Sequence, residues 1–148
     1  MLNYGRPAQP EPFIIAALAS LNHPAFAERE QITGFPPTSA DDPTDLPCYL
    51  ITSVANVSDR HMLTATVSVH SMALSRAHAK DIAWDADNHL LSLTPGDEFT
   101  LPNGITAGAW VCPHSSPTYQ DYRDPFIKRY VGRYTALLRF TGVDAANL

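Results

Sequence analysis

The sequence predicts an α+β domain of two layers, a four-stranded sheet with two helices on one face, in the order α-β-β-α-β-β. Residues 63–71 and 127–140 alternate apolar and polar side chains, which is typical of strands with one buried face. Residues 75–93 place apolar side chains on one helical stripe, namely Ala79, Ile82, Ala83, Ala86, Leu90 and Leu93. Packing helices on one face of a sheet is the economical way to bury such stripes.

The two predicted helices carry recognisable start signals, and the strands between them suggest a hairpin. Pro12 suits a first helical position, so a helix is predicted over residues 12–21. A strand over residues 48–55 should form a hairpin with residues 63–71. Ser75 is placed to cap the central helix, because its hydroxyl can accept an amide proton of the first turn. The predicted core includes Val67, Val69, Ile82, Ala86, Tyr134 and Leu138.

The connections differ widely in length. The link over residues 22–47 is rich in Pro and Asp, and ordinary connections are about 4 to 6 residues. Within it, residues 32–35 are a candidate for a short edge strand. A third strand is predicted over residues 107–112, closed by Pro113, followed by a polar loop over residues 115–126.

Composition predicts a single domain over residues 1–148, with a loose arm at 1–10 and a tail at 142–148. The net charge of -5 and the lack of a basic run argue against tight binding to a phosphate backbone. No apolar run approaches 18 residues, so we expect no membrane span and a protein made in a reducing cytoplasm. Cys48 and Cys112 are interpreted as reduced core thiols.

The sequence offers no enzyme signature, so we predict no catalytic, cofactor-binding or metal residues. His78 and Asp81 could share a metal, but two ligands are too few for a zinc site. Cys112 and His114 could form a nucleophile and base, but no third orienting group is identifiable. The simpler interpretations are a solvated helix face and a buried thiol.

Two segments carry candidate interface residues. Tyr119, Tyr122, Arg123 and Phe126 are of residue types enriched at protein interfaces, and they lie on a predicted loop. The alternative, given equal weight, is that one or two of these rings cover the sheet edge. The hairpin turn over residues 56–61 is the second candidate, with three polar side chains, Asp59, Arg60 and His61.

The chain resembles the tail terminator proteins of long-tailed bacteriophages, particularly small versions from phages of actinobacteria. The residues that carry the resemblance are 46–51 (LPCYLI), 66–70 (TVSVH), 75–83 (SRAHAKDIA), 115–119 (SSPTY) and 124–134 (DPFIKRYVGRY). It covers residues 46–140. Each piece is short, and their order and spacing carry the specificity.

The resemblance implies a non-enzymatic virion protein without cofactors, assembled in the bacterial host cytoplasm. Such a protein forms a ring, expected to be a hexamer, that caps the tail tube, ends tail polymerisation and presents a surface to the head-completion or connector protein. DNA would pass through the lumen without specific binding. Two alternatives are another neck or tail-tube-like ring protein, and a small hydrolase or metal enzyme using Cys112, His114 or His78.

Overall fold

The computed structural model describes residues 10–21, 32–33, 46–58, 62–101 and 104–141. In this part of the chain six strands form one sheet in the order β1-β2-β3-β6-β5-β4, curled into half a barrel, with two helices. In chain order the elements are α1 (Pro10–Ala19), β1 (Ile32–Thr33), β2 (Cys48–Ser58), β3 (Met62–Ala73), α2 (Arg76–Leu91), β4 (Phe99–Thr100), β5 (Thr106–Gln120) and β6 (Lys128–Thr141).

The predicted four-stranded sheet in the order α-β-β-α-β-β is wrong. The structure adds β1 at one edge, parallel to β2, and β4 at the other edge, antiparallel to β5. The five strands β2 to β6 are joined by antiparallel pairings. Each added strand has two residues, too few for a period of two to be visible. The edge strand considered at residues 32–35 is present as β1, whereas β4 was not predicted.

The predicted third strand is also wrong in extent. β5 continues past Pro113 to Gln120, so most of the expected loop over residues 115–126 belongs to the strand. The pairing of β5 with β6 shifts register between Pro113 and Ser115, and again between Ser115 and Thr118. Proline cannot donate a hydrogen bond to a sheet, but a bulge removes that requirement. The connection to β6 is therefore only residues 121–127.

The main core lies on the helix-bearing face of the sheet, which we call the inner face. All six predicted core residues are buried, which confirms the stripes of α2, β3 and β6 (Val67, Val69, Ile82, Ala86, Tyr134 and Leu138). They form one cluster with Phe13, Ile14 and Leu18 of α1. The register confirms the shared face, since Val67 pairs with Tyr134 and Leu63 with Leu138.

Two buried tyrosines of the sheet hold α2 in place. The Tyr49 hydroxyl donates to the Ile82 carbonyl oxygen at 2.6 Å, and the Tyr134 hydroxyl donates to Asp87 Oδ1 at 2.8 Å. Burial raises the pKa of both phenols well above the ordinary value. At the start of the helix, the Ser75 side chain accepts the His78 N–H, so the predicted cap is confirmed. Side chains thus provide both the two hydrogen bonds that join α2 to the sheet and the cap at the start of the helix.

A second, smaller cluster lies on the opposite face of the sheet, which we call the outer face. It comprises Leu46, Cys48, Leu50, Met72 and Ile127, with Tyr122 packed against it. Cys48 pairs with Met72 across β2 and β3, which places both on this face. The connection over residues 121–127 therefore folds back over one end of the outer face.

Candidate interaction surface

The connection between β5 and β6 is a structured loop. The Phe126 N–H donates to Asp124 Oδ1 at 3.0 Å, and the Ile127 N–H donates to the Asp124 carbonyl oxygen at 3.1 Å. From β6, Lys128 Nζ donates to the Pro125 carbonyl oxygen at 2.7 Å. Residues 121–127 are thus held by bonds to their own backbone as well as by the buried Ile127 side chain.

Phe126 is the most exposed of the large apolar side chains in the described part of the chain. Its side chain is 73% exposed, although the neighbouring Ile127 is 2% exposed. A hydrogen-bonded loop therefore displays an aromatic ring to solvent at little cost in conformational freedom. A large apolar group held in this way is a suitable anchor for a partner surface.

Tyr122 and Arg123 lie beside this anchor. The Arg123 guanidinium is 5.7 Å from the centre of the Tyr122 ring, and the Arg129 guanidinium is 5.3 Å from the same ring. Tyr122 is partly buried against the outer-face cluster, so it supports the loop, whereas Arg123 is exposed. The alternative interpretation, that some rings cover the sheet, describes Tyr122 well.

Tyr119 does not belong to the loop. It lies on β5, paired with Tyr130 in an edge-to-face contact with 5.6 Å between ring centres. The Arg76 guanidinium, at the first turn of α2, lies 3.8 Å from the centre of the Tyr119 ring. Tyr119 therefore joins α2 to the sheet, and the structure separates it from Phe126. The other predicted interface residues, Asp59, Arg60 and His61, lie outside the described residues.

His70 and Arg129 form a polar cluster with Tyr122 on the outer face. His70 pairs with Val131, and Met72 with Arg129, which places His70 and Arg129 diagonally on one face. Burial, and then the charges of Arg129 and Arg133, lower the pKa of His70 to about 4. Three buried polar atoms here have no hydrogen-bond partner among the described residues: His70 Nδ1, Tyr122 Oη and Arg129 Nε.

Several exposed apolar side chains were not predicted. Trp110 on β5 is 50% exposed and Met62 on β3 is 38% exposed, both on the outer face. On α2, Trp84 is 39% exposed and Leu91 is 38% exposed. The sequence pattern does indicate that both tryptophans are exposed. Trp110 alternates with the inner-face residues of β5, and Trp84 lies off the buried stripe of α2.

The residues considered for chemistry do not assemble into a site. Cys112 and His114 are both exposed, so the interpretation of Cys112 as a core thiol is wrong, whereas Cys48 is buried as predicted. Cys112 lies on the outer face of β5, opposite Thr135. His78 and Asp81 are exposed on α2. In the described part of the chain, no three His, Cys, Asp or Glu side chains are grouped so that they could bind a metal ion.

Comparison with known proteins finds similarity among solved structures. No protein-family model matches the chain, and no curated protein matches it. Among solved structures, it is similar to a chain of the "Virion of native gene transfer agent (GTA) particle". The TM-score is 0.46 with 13% sequence identity, covering 88% of this chain and 94% of that chain. No described helix combines the length and apolar character needed to cross a membrane.

Proposed function

We propose that this chain is a structural protein of a bacteriophage-like virion and acts as a tail terminator. Its subunits form a ring, a hexamer in our proposal, that caps the tail tube, stops tail polymerisation and provides the surface to which the head attaches. The observation that carries this function is the ordered display of Phe126, 73% exposed, on the hydrogen-bonded loop over residues 121–127. The sequence resemblance to tail terminators supplies the identity of the assembly.

The charge of the chain suits a ring that surrounds DNA without binding it. The chain has 15 Asp and Glu side chains and 10 Lys and Arg side chains, so its net negative charge repels a phosphate backbone. We propose no enzymatic activity and no cofactor. The partners are further copies of this chain, the tail tube protein and a head-completion or connector protein, and the site of action is the neck of the virion.

The loop provides a specific test. Phe126→Ala removes an exposed ring, so the free energy of unfolding should remain within about 0.5 kcal/mol of wild type. Truncating a central interface anchor costs about 2 kcal/mol or more in binding. Phages carrying only this variant should therefore produce tails of irregular length beside unjoined heads. The matched control is Leu74→Ala, since Leu74 is 50% exposed but lies outside the loop.

The outcome is decided by electron microscopy of the lysates. Normal infectious particles from Phe126→Ala would remove the loop from the mechanism. Micrographs of the purified wild-type protein separate the terminator from its nearest alternative, because a terminator forms closed rings and a tube-like protein forms open polymers. Open polymers would replace the terminator proposal with a tube role.

A further inference from the structure

The chain turns sharply within the loop over residues 121–127. The Ile127 N–H donates to the Asp124 carbonyl oxygen at 3.1 Å, which is the hydrogen bond that closes a four-residue β-turn. Pro125 and Phe126 are the second and third residues of this turn. The sequence suits it, because Asp is favoured at the first position of such turns and Pro at the second. The local sequence therefore specifies the turn.

Asp124 also binds the turn with its side chain. The Phe126 N–H donates to Asp124 Oδ1 at 3.0 Å, so the carboxylate and the carbonyl group of one residue accept two consecutive N–H groups. Asp and Asn side chains commonly bond to the backbone two residues further on. Lys128 Nζ donates to the intervening Pro125 carbonyl oxygen at 2.7 Å. Three hydrogen bonds thus restrain the backbone on both sides of Phe126, and Asp124 accepts two of them.

The Phe126 ring depends on this backbone for its direction. Its side chain is 73% exposed, so it packs little against its own subunit, whereas the next residue, Ile127, is buried and holds the end of the turn. The direction of the ring therefore follows from the backbone angles of its own residue. Fixing a backbone costs conformational entropy, and a turn that forms before binding removes that cost from the binding step.

We propose that Asp124 is the positioning residue for the binding anchor Phe126. Its two hydrogen bonds form the turn before a partner arrives, so the ring enters the partner surface with its backbone already ordered. Asp124 acts through Phe126 and makes no contact of its own with the partner. This inference rests on the proposed function and assigns, within it, the residue that preorganises the anchor.

Extracts of cells infected by a phage that lacks this gene provide the assay. Purified protein is added over a range of concentrations and infectious particles are counted, so the concentration that gives half of the maximal titre reports binding. Phe126→Ala should raise this concentration about 30-fold, which corresponds to the loss of about 2 kcal/mol expected for an interface anchor. Asp124→Ala should raise it about tenfold, because the turn must then form during binding.

The conservative variant separates the hydrogen bond from the charge. Asp124→Asn keeps an oxygen that can accept the Phe126 N–H, so it should stay within about threefold of wild type. A loss as large as that of Asp124→Ala would show that the charge matters rather than the bond to Phe126, and would overturn the proposal. Asp81→Ala is the matched control and should have little effect, because Asp81 is an exposed acid on α2, outside the loop.

A double variant tests whether Asp124 acts through the ring. If it does, Asp124→Ala combined with Phe126→Ala should need about the same concentration as Phe126→Ala alone, because the turn then has no anchor to position. Two independent roles would instead multiply to a rise of about 300-fold. A rise of that size, or wild-type behaviour of Asp124→Ala alone, would overturn the proposal.

Hydrogen–deuterium exchange with mass spectrometry observes the turn itself. The peptide that carries Phe126 should exchange faster in Asp124→Ala than in wild type or in Asp124→Asn, and equal exchange in all three would overturn the role of Asp124. Circular dichroism checks that each variant is folded. If Asp124→Ala does not fold, Asp124→Ser takes its place, because a hydroxyl makes the same bond more weakly. It should need more protein than Asp124→Asn, and a value equal to wild type would overturn the proposal.

Failure of this inference is distinct from failure of the proposed function. If wild-type protein restores particles and Phe126→Ala loses them while Asp124→Ala does not, the positioning role is rejected and the terminator stands. If wild-type protein restores no particles, the terminator is rejected, and the exchange measurement still decides whether Asp124 forms the turn. If Phe126→Ala behaves as wild type, the loop has no binding role and this inference is rejected with it.

Discussion

The hydrogen bond from Tyr134 to Asp87 joins α2 to the sheet, and both of its side chains are buried. Tyr134 is 1% exposed and Asp87 is 6% exposed, so neither group can replace its partner with bulk water. Tyr134→Phe keeps the ring and removes only the donor. Hydrogen bonds to charged groups contribute about 1.5 to 3 kcal/mol, and a buried acceptor left unmatched retains its desolvation cost. We expect the free energy of unfolding to fall by about 2 to 3 kcal/mol.

Tyr49 provides a matched control on the neighbouring part of the same core. Its hydroxyl donates to the Ile82 carbonyl oxygen, a neutral acceptor within α2. Removing this donor with Tyr49→Phe should cost about 1 kcal/mol, because a neutral hydrogen bond contributes less. The two variants remove the same atom from the same residue type, so their difference isolates the contribution of the Asp87 carboxylate.

Urea unfolding followed by circular dichroism measures both losses. Protein concentration must be low and equal in all samples, because self-association would add to the apparent stability. A double-mutant cycle with Asp87→Ala should give a coupling energy of about 1 kcal/mol or more between positions 134 and 87. The reasoning is refuted if Tyr134→Phe costs no more than Tyr49→Phe, or if the cycle shows no coupling.

Three further predictions concern single positions. Gly108→Ala should destabilise the fold by about 3 kcal/mol in urea unfolding, because the added Cβ would lie 2.2 Å from the Pro95 carbonyl oxygen in the connection after α2. Gly96→Ala is the control and should be nearly neutral, because the nearest atom to its added Cβ is 3.6 Å away. Burial and the nearby arginines lower the pKa of His70 to about 4 in the folded protein, against about 6.5 for an unperturbed histidine, so the unfolded state binds more protons between these values. Stability should therefore fall as pH drops from 6.5 to 4, by about 1 to 2 kcal/mol because solvent screens this partly exposed side chain, and His70→Gln should flatten this dependence. A thiol reagent should label Cys112 at once and Cys48 only on unfolding, and equal rates would contradict the burial of Cys48.

The central strand and helix could be predicted because local and global signals agree there. The alternation around Val67 and the stripe around Ile82 each point to the same buried layer. Ser75 adds an end signal that acts through one hydrogen bond within the first turn. Nothing distant in the chain is needed to specify these choices, so a sequence pattern is sufficient.

The edge strands and the length of β5 depend on pairing with other strands, so they could not be predicted from local sequence alone. β1 and β4 exist because Ile32 and Phe99 reach a neighbouring strand, and two residues carry no period of their own. Pro113 was interpreted as the end of a strand, which is its usual effect. In the structure, register shifts on the β5 side absorb the missing donor, and the pairing of β5 with β6 continues. Register is a property of two strands together, so one strand's residues do not reveal it.

The candidate interface residues were predicted from their residue types alone. In the structure some of them are packed within the subunit and others are exposed. Tyr119 and Phe126 have similar aromatic character in the sequence, but one is stacked under Arg76 and the other is exposed to solvent. The difference arises because β5 is longer than predicted, which moves Tyr119 from a loop into the sheet. An error in one strand boundary therefore changed the expected role of a residue several positions away.

The two ends of the outer face have different environments. At one end, the loop over residues 121–127 covers Leu50 and Met72, so the apolar positions there are already satisfied within the subunit. At the other end, Trp110 is 50% exposed. The arginines of β6 run between these ends, and three unmatched polar atoms lie where the covered region begins. The outer face is therefore covered at one end, positively charged along its length and apolar at the other end.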